Sequence, residues 1–287
     1  MSEMKATRIL VTGATGNVGS AITEQLVAMG NPCRTLVRRA EAISRFDTDK
    51  VECVLGDLDK PETLEKAVLE IESIFLVTAN TQQDRNVIEA ARKAGCRKIV
   101  KLSTLEAGWT PIKGHGHWHR EREILIEESG FAWTFLRPTM MMNVTTFWQT
   151  SVNSHNAVVY PGGSAVLPII HPADVAAVAI AALVRREHDG KGFELTGGTP
   201  LSMSDMTQIL AAVLGKPLTY IEQSDENFIE ETIKFNIPRY AAEGFVETFK
   251  FVRAGDFAHC TDYVRETTGN MPRTFESWCR ENINAFK

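Results

Sequence analysis

The stretch "RILVTGATGNVGSAITEQLVAMG", residues 8–30, decides the fold. It opens with a short apolar run and passes through Gly13, Gly16 and Gly19 in G-x-x-G-x-x-G spacing. It continues with Val18, Ile22, Leu26 and Met29 at helical intervals. Strand, glycine turn and helix in that order form the context in which such a turn accepts a dinucleotide. The glycines permit a tight turn and let the backbone approach a pyrophosphate, which then rests on the amides and the positive end of the helix.

Working outward, "CRTLVR", "VECVLGDL", "SIFLVT", "KIVKLST" and "AWTFLRP" read as five further strands, the last closed by Pro138. Helical patterns lie between them, including "TLEKAVLEI", "DRNVIEAARKAG" with Gly95 as its C-terminal cap, and "REREILIEESG". Strands alternating with helices imply an α/β fold, a Rossmann-type doubly wound parallel sheet with helices on both faces. Downstream, "HPADVAAVAIAALVRRE" is a helix entered through Pro172 and Asp174, "GKGFELTGG" a strand and "LSMSDMTQILAAVLGK" a capped helix; the tail reads as mostly helical. The expected organisation is an NAD(P)-binding Rossmann domain over residues 1–155 and a smaller α/β C-terminal substrate lobe over 156–287 packed on it, with some segments interleaving.

The composition fits a soluble globular chain: 44% hydrophobic and 23% charged residues. No run of about 18 apolar residues suggests a membrane span. No apolar signal core precedes the first strand, so the expected location is cytoplasmic. Five cysteines, odd in number, widely spaced and without a CxxC pair, argue against a disulfide framework or thiolate zinc site. A net charge of −5 gives no general attraction to nucleic acid.

Cofactor discrimination lies at the end of the second strand, about 20 residues past the last glycine, where an acid would bind the ribose of NAD. This chain has "LVRRAE" there, with Arg38 and Arg39 and no acid at the strand end. Guanidinium pairs bidentately with phosphate, so NADP(H) is preferred over NAD(H), with Arg38 facing the 2′-phosphate.

"LVTGATGNVG", "TLVR", "LGDL", "NVIEAARKAGCRKIVKLST", "ILIEESGFAWTFLRP" and "HPADVAAVAIAAL", in this order and spacing, resemble the NmrA-like atypical short-chain dehydrogenases/reductases. That group includes quinone and triphenylmethane-dye reductases, relatives of isoflavone reductases, and non-catalytic NADP-sensing regulators. The resemblance implies that Thr12, Gly13, Thr15, Gly16, Asn17 and Val18 hold the pyrophosphate, Arg38 the 2′-phosphate, and Asp57 and Leu58 the adenine edge. It implies that Thr78, Ala79 and Asn80 line the ribose, that Ser103 with Thr104 meets the nicotinamide ribose, and that Pro138, followed by Thr139 and Met140, flanks the nicotinamide ring.

Catalytic short-chain dehydrogenases carry Tyr-x-x-x-Lys on the helix after the fifth strand. Here no tyrosine occurs between residues 1 and 159, and the matching place reads His119-Arg120-Glu121-Arg122-Glu123. Positions 119 and 123 share a helix face, so Glu123 can orient or charge the imidazole and His119 can serve as general acid. The other reading makes His119 a packed helix residue. Lys113 is a further candidate acid. The alternation in "KGHGHWHRERE" (residues 113–123) also admits a metal reading if the segment is extended. Two glycines and the lack of a nearby cysteine disfavour it, so no metal is assigned, and His115 and His117 read as a solvated loop.

Trp109, Trp118, Met140, Met141, Met142, Phe147 and Trp148 lie in segments that this fold brings to the mouth beside the nicotinamide. They form either adaptable walls for a flat apolar substrate or core between the lobes. The chain therefore reads as an NADPH-dependent reductase delivering hydride to an apolar, aromatic electrophile: a quinone, enone, iminium or carbonyl. The alternative is a non-catalytic NADP(H)-sensing regulator acting through a protein partner. A small-molecule substrate is expected, no nucleic acid and no membrane, with a homodimer as the other assembly allowed.

Overall fold

Ile9, Leu10 and Val11, all buried, form the first strand of the computed structural model, which describes residues 9–109 and 115–287. The elements run β1 (Ile9–Val11), α1 (Asn17–Ala28), β2 (Cys33–Val37), β3 (Val51–Leu55), α2 (Glu65–Val68), β4 (Ser73–Leu76), α3 (Thr81–Ala94), β5 (Lys98–Leu102), α4 (His115–Glu127) and β6 (Ala132–Pro138). There follow α5 (Gln149–His155), β7 (Ala157–Tyr160), β8 (Val166–Leu167), α6 (Pro172–Val184), β9 (Lys191–Leu195), β10 (Leu201–Ser202), α7 (Met203–Leu214), β11 (Thr219–Glu222), α8 (Asp225–Ile233), α9 (Arg239–Ala254), α10 (Tyr263–Thr268) and α11 (Phe275–Glu281).

The main sheet has the order β3-β2-β1-β4-β5-β6-β9. Its register is parallel, with Leu10 opposite Arg34 on one side of β1 and Ile74 on the other. Every residue of β1, β2 and β4 is buried, as strands covered by helices on both faces must be, and this explains the near-continuous apolar runs of β1 and β4. From β1 the chain builds outward through β2 and β3, then returns to lay β4 on the opposite side. Ligands of such sheets bind where the order reverses, at the carboxyl ends of the strands.

Chain contacts divide the protein into two units. One is made of the chain as far as Ser103 with His119–Arg137 and Val175–Phe193. Its core packs Leu10, Ile74, Leu76, Ile99 and Phe135 of the sheet against Val87 and Ala91 of α3 and Ile126 of α4. The other is made of Thr104–Trp118, Pro138–Asp174 and Glu194–Lys287. Its core is aromatic, with Tyr160, Phe228 and Phe249 meeting edge to face and Phe275 stacked on Trp278. Two small sheets belong to it: β11 parallel to β7, and β10 antiparallel to β8.

Two expectations change. "TLEKAVLEI" yields a 3-10 turn (Pro61–Thr63) and the single turn of α2, because Arg34 on β2 donates to the carbonyls of Lys66, Ala67 and Leu69 and closes the helix. The histidine segment is a helix from His115, not a loop around His115 and His117. At roughly 100° per residue, alternate positions fall on nearly opposite sides of the axis, so the three histidines do not line one face. Among the described residues no cluster of three or more His, Cys, Asp or Glu is placed to hold a metal ion. No helix among them is long and apolar enough to cross a membrane.

Candidate functional site

In the first unit, β1 leads into a turn whose shape depends on glycine at two places. Gly13 adopts φ +61°, and its Cβ position faces Val77 Cβ at 3.2 Å. A Cβ on Gly19 would lie 2.3 Å from the Gly13 carbonyl oxygen, so helix and turn touch backbone to backbone. The Gly16 amide donates to Gly13 O at 2.9 Å and closes the turn. Gly16 is then the extended N-cap of α1, without a side-chain cap and without an acid in the first turn. The first-turn amides of a helix have no intrahelical acceptor, so this end offers donors and a positive dipole to an anion. Gly13, Thr15, Gly16 and Asn17 are exposed there, while Val18 is buried and packs the helix down.

Thr12 differs from its expected role. Its side chain is buried, with Oγ1 donating to Phe75 O at 3.0 Å and accepting from Val77 N at 2.8 Å. The hydroxyl therefore ties the end of β1 to the end of β4 and is not presented to a phosphate.

Arg38 follows β2 directly and is exposed, as is Arg39. Arg45, which the sequence reading did not single out, donates from Nη1 to Thr15 O at 3.3 Å and so sets another guanidinium at the rim of the glycine turn. After β3, Asp57 Oδ1 accepts from Asp59 N at 3.1 Å, and Leu58 O accepts from Asn86 Nδ2 of α3 at 2.7 Å. After β4, Asn80 caps α3 by accepting from Gln83 N at 2.9 Å, Gln83 Oε1 in turn accepts from Ala79 N at 2.8 Å, and Thr78 Oγ1 donates to Asp84 Oδ1 at 2.8 Å.

Beneath that turn lies a charge pair equally absent from the sequence reading. Lys101 of β5 and Asp84 of α3, both 0% exposed, meet at 3.0 Å. Burial pulls the lysine below its ordinary pKa, while the Asp84 carboxylate acts against that pull. One residue past β5, the Ser103 hydroxyl is buried with no hydrogen-bond partner among the described residues.

His119 on α4 is half-buried. Glu123, 0% exposed, accepts from Arg137 Nε at 2.9 Å and Nη2 at 2.7 Å, and from Arg120 Nη1 at 3.1 Å. Both carboxylate oxygens are thus engaged by guanidinium, and Arg120 also grips Glu127 at 2.7 and 3.0 Å. Glu123, expected to orient or charge the imidazole, thus also anchors α4 to β6. Lys113 lies outside the described residues.

In the second unit, Met142 and Trp148 are 2% and 1% exposed and belong to the core; Trp148 is edge-on to Tyr160 and Phe275. They are corrected from substrate contacts to packing residues. Trp109 packs edge-on against Phe251 and Phe257, and Trp118 against Tyr240 and over Gly244, while Phe147 is exposed beside Phe235. Met140 is half-buried, and Pro138 closes β6 ahead of Thr139, whose buried Oγ1 finds no hydrogen-bond partner among the described residues. Glu106, buried, accepts from Thr104 and from Thr248 Oγ1 of α9 at 2.6 Å.

Residues 13–186 match the family described as NAD(P)H-binding. Over 281 residues the chain is 34% identical to (4-alkanoyl-5-oxo-2,5-dihydrofuran-3-yl)methyl phosphate reductase of Streptomyces griseus, spanning 97% of this chain and 99% of that one. It is 28% identical over 282 residues to NAD(P)H azoreductase of Xenophilus azovorans, again spanning 97% and 99%. The crystal structure of NADPH-dependent quinone oxidoreductase from Escherichia coli complexed with NADPH superposes with a TM-score of 0.84 at 23% identity, over 96% of this chain and all of that one. At that identity the likeness bears on the fold.

Proposed function

The chain belongs to the NAD(P)H-binding family, in its NmrA-like branch, and from that premise we propose that it is an NADPH-dependent reductase delivering hydride to an apolar, electron-poor acceptor such as a quinone, enone, iminium or carbonyl. The observation that carries the reading is the glycine turn. Gly19 meets Gly13 O where a Cβ would leave only 2.3 Å, and the helix behind it starts uncapped. That cradle fits a pyrophosphate.

NADPH, when bound, supplies the hydride; the chain supplies position, charge and a proton. The amides of Gly13 to Val18 would hold the pyrophosphate. Arg38, with Arg45 at the turn's rim, would pair with the 2′-phosphate and favour NADPH over NADH. The turn Thr78–Asn80 would line the ribose, and Asp57 and Leu58 the adenine. The Ser103 hydroxyl, without a partner among the described residues, would donate to an oxygen of cofactor or acceptor, since a buried polar group is costly until it finds a partner. His119 would give the proton that completes reduction.

The acceptor class follows from what is missing and from the relatives' names. Without Tyr-x-x-x-Lys, a ketone's developing alkoxide would lack its usual acid. An acyl-dihydrofuranone, an azo compound and a quinone, the substrates in those names, share an electron-poor multiple bond that takes hydride with less proton assistance. Those names favour turnover over silent sensing. Trp109, Trp118, Met140 and Phe147 would form the apolar walls.

The test is NADPH oxidation by purified protein against quinones, enones, azo and iminium dyes and aromatic aldehydes, with NADPH binding followed by fluorescence. Turnover on one class establishes the reductase and its acceptor. Tight binding without turnover on any class would overturn the reading in favour of a sensor.

A further inference from the structure

α4 carries a guanidinium that the proposed reaction has not used. Arg122 Nη2 donates to Ala79 O at 2.7 Å and Nη1 to Thr78 O at 3.3 Å. Those are the carbonyls of the turn between β4 and α3, the turn assigned to the ribose. The same turn is held from three other directions. Lys101 Nζ donates to Thr78 Oγ1 at 2.8 Å, Asp84 accepts from that hydroxyl at 2.8 Å, and Gln83 accepts from Ala79 N while its Nε2 donates to Asp59 at 3.0 Å. Arg122 Nε stands 3.8 Å from Asp84 Oδ2, so the guanidinium also leans on the buried pair.

On a helix, residues 119 and 122 are neighbours on one face. Whatever fixes the Arg122 guanidinium therefore fixes the rotation of the face that bears His119. The next residue, Glu123, is fastened to Arg137 of β6. Two adjacent residues thus pin α4 to two different strands' ends, and a helix held at both cannot roll or slide without breaking charged hydrogen bonds.

We infer that Arg122 is a positioning residue. By bonding both carbonyls of the ribose turn, it sets the cofactor-binding turn and the His119 helix at a fixed distance and rotation. NADPH affinity and hydride-transfer rate then both depend on this one side chain. The inference rests on the reductase reading.

The test compares wild type, Arg122→Ala and Arg122→Lys for NADPH Kd by fluorescence, for kcat and KM with an acceptor that wild type reduces, and for melting temperature. Loss of two charge-assisted hydrogen bonds should weaken NADPH about tenfold and lower kcat about tenfold in the alanine variant, with the KM for the acceptor within about twofold. Lysine offers a point charge rather than a fork, so it should recover part of each loss. Ethylguanidinium at millimolar concentration should restore both parameters to the alanine variant, which a merely structural role would not show. Wild-type Kd and kcat in either variant overturn the inference. So does a lowered melting temperature with losses that ethylguanidinium leaves untouched. Absence of NADPH binding by wild type would remove the reductase reading and this inference with it, whereas wild-type binding matched by Arg122→Ala removes this inference alone.

Discussion

Gly19→Ala adds a single methyl group where the backbone has no room. Its Cβ would sit 2.3 Å from Gly13 O, 2.7 Å from Gly13 C and 2.9 Å from Ala14 Cα. All three atoms are main chain, so no rotamer relieves the clash, and the turn must retreat from the helix by about 1 Å to restore ordinary van der Waals contact. It has little room to retreat, because Thr12 is tied to β4 through Phe75 and Val77 and a Cβ built on Gly13 would lie 3.2 Å from Val77 Cβ. Overpacking of this kind costs about 1–3 kcal/mol, which for a unit of this size lowers Tm by about 5 °C. The effect on binding is larger. Displacing the first-turn amides removes one or two charge-assisted hydrogen bonds of about 1.5–3 kcal/mol each, so NADPH should bind roughly 100-fold more weakly. Fluorescence titration with NADPH and a thermal melt measure both quantities. Gly30→Ala is the control: φ there is +72° and nothing lies within 4 Å, so it should cost stability without touching Kd. A Gly19→Ala protein binding NADPH within threefold of wild type would refute the assignment of this turn to the pyrophosphate.

Three further outcomes are expected. Arg38→Ala and Arg45→Ala should each weaken NADPH about tenfold and NADH less than twofold, because only the former carries the 2′-phosphate; equal losses for the two cofactors would defeat the arginine assignment. His119→Phe should lower kcat by about 10²-fold with NADPH Kd nearly unchanged, and an unchanged rate would remove His119 from the chemistry. Burial pushes the thiols of Cys33 and Cys279 up to about 12 and that of Cys96 to about 11, whereas the unfolded chain ionises them near 9.0. The folded state therefore holds these protons more tightly. Their contribution to stability is intact below pH 9 and drains away as pH rises toward 12, so native protein at pH 8 should alkylate at Cys260 and Cys53 only. Rapid labelling of Cys33 at pH 8 would contradict this.

Much of the first unit was legible because its strands are covered on both faces. Such strands are apolar almost throughout, and "RILV" and "SIFLV" carry that mark without tertiary help. The failures share a different origin. "TLEKAVLEI" has a helical period, yet Arg34 from a neighbouring strand takes the carbonyls that would have continued the helix. Gly114 and Gly116 made the histidine segment read as loop, but Gly116 is buried within α4, and Trp118 two residues on packs over Gly244. Met142 and Trp148 look no different in sequence from residues lining a pocket; only their enclosure by Tyr160, Phe275 and their neighbours identifies them as core. Arg45 follows Arg38 by less than two turns' worth of chain, but no periodic signal says that a 3-10 segment, Ala40–Arg45, swings it back to Thr15. Lys101 and Asp84 meet because a β-α-β crossover sets β5 beside β4 and α3 over both.

The charge on α4 bears on the chemistry more than the missing tyrosine does. In a Tyr-x-x-x-Lys helix the residue at i+4 is a cation that lowers the acid's pKa. Here the residue at i+4 from His119 is a carboxylate, Glu123. Yet Glu123 and Glu127 are matched by Arg137 and Arg120 in a closed network of five charge-assisted hydrogen bonds, four of them no longer than 3.0 Å. Such a network engages both oxygens of each carboxylate and sets two guanidinium charges against two carboxylates. On the proposed reading, the carboxylate at i+4 therefore serves to hold the helix that carries His119, so Glu123→Gln should loosen α4 from β6 and lower the melting temperature. The energy of the buried charges goes into holding the helix still, which on the proposed reading keeps His119 in place for the acceptor.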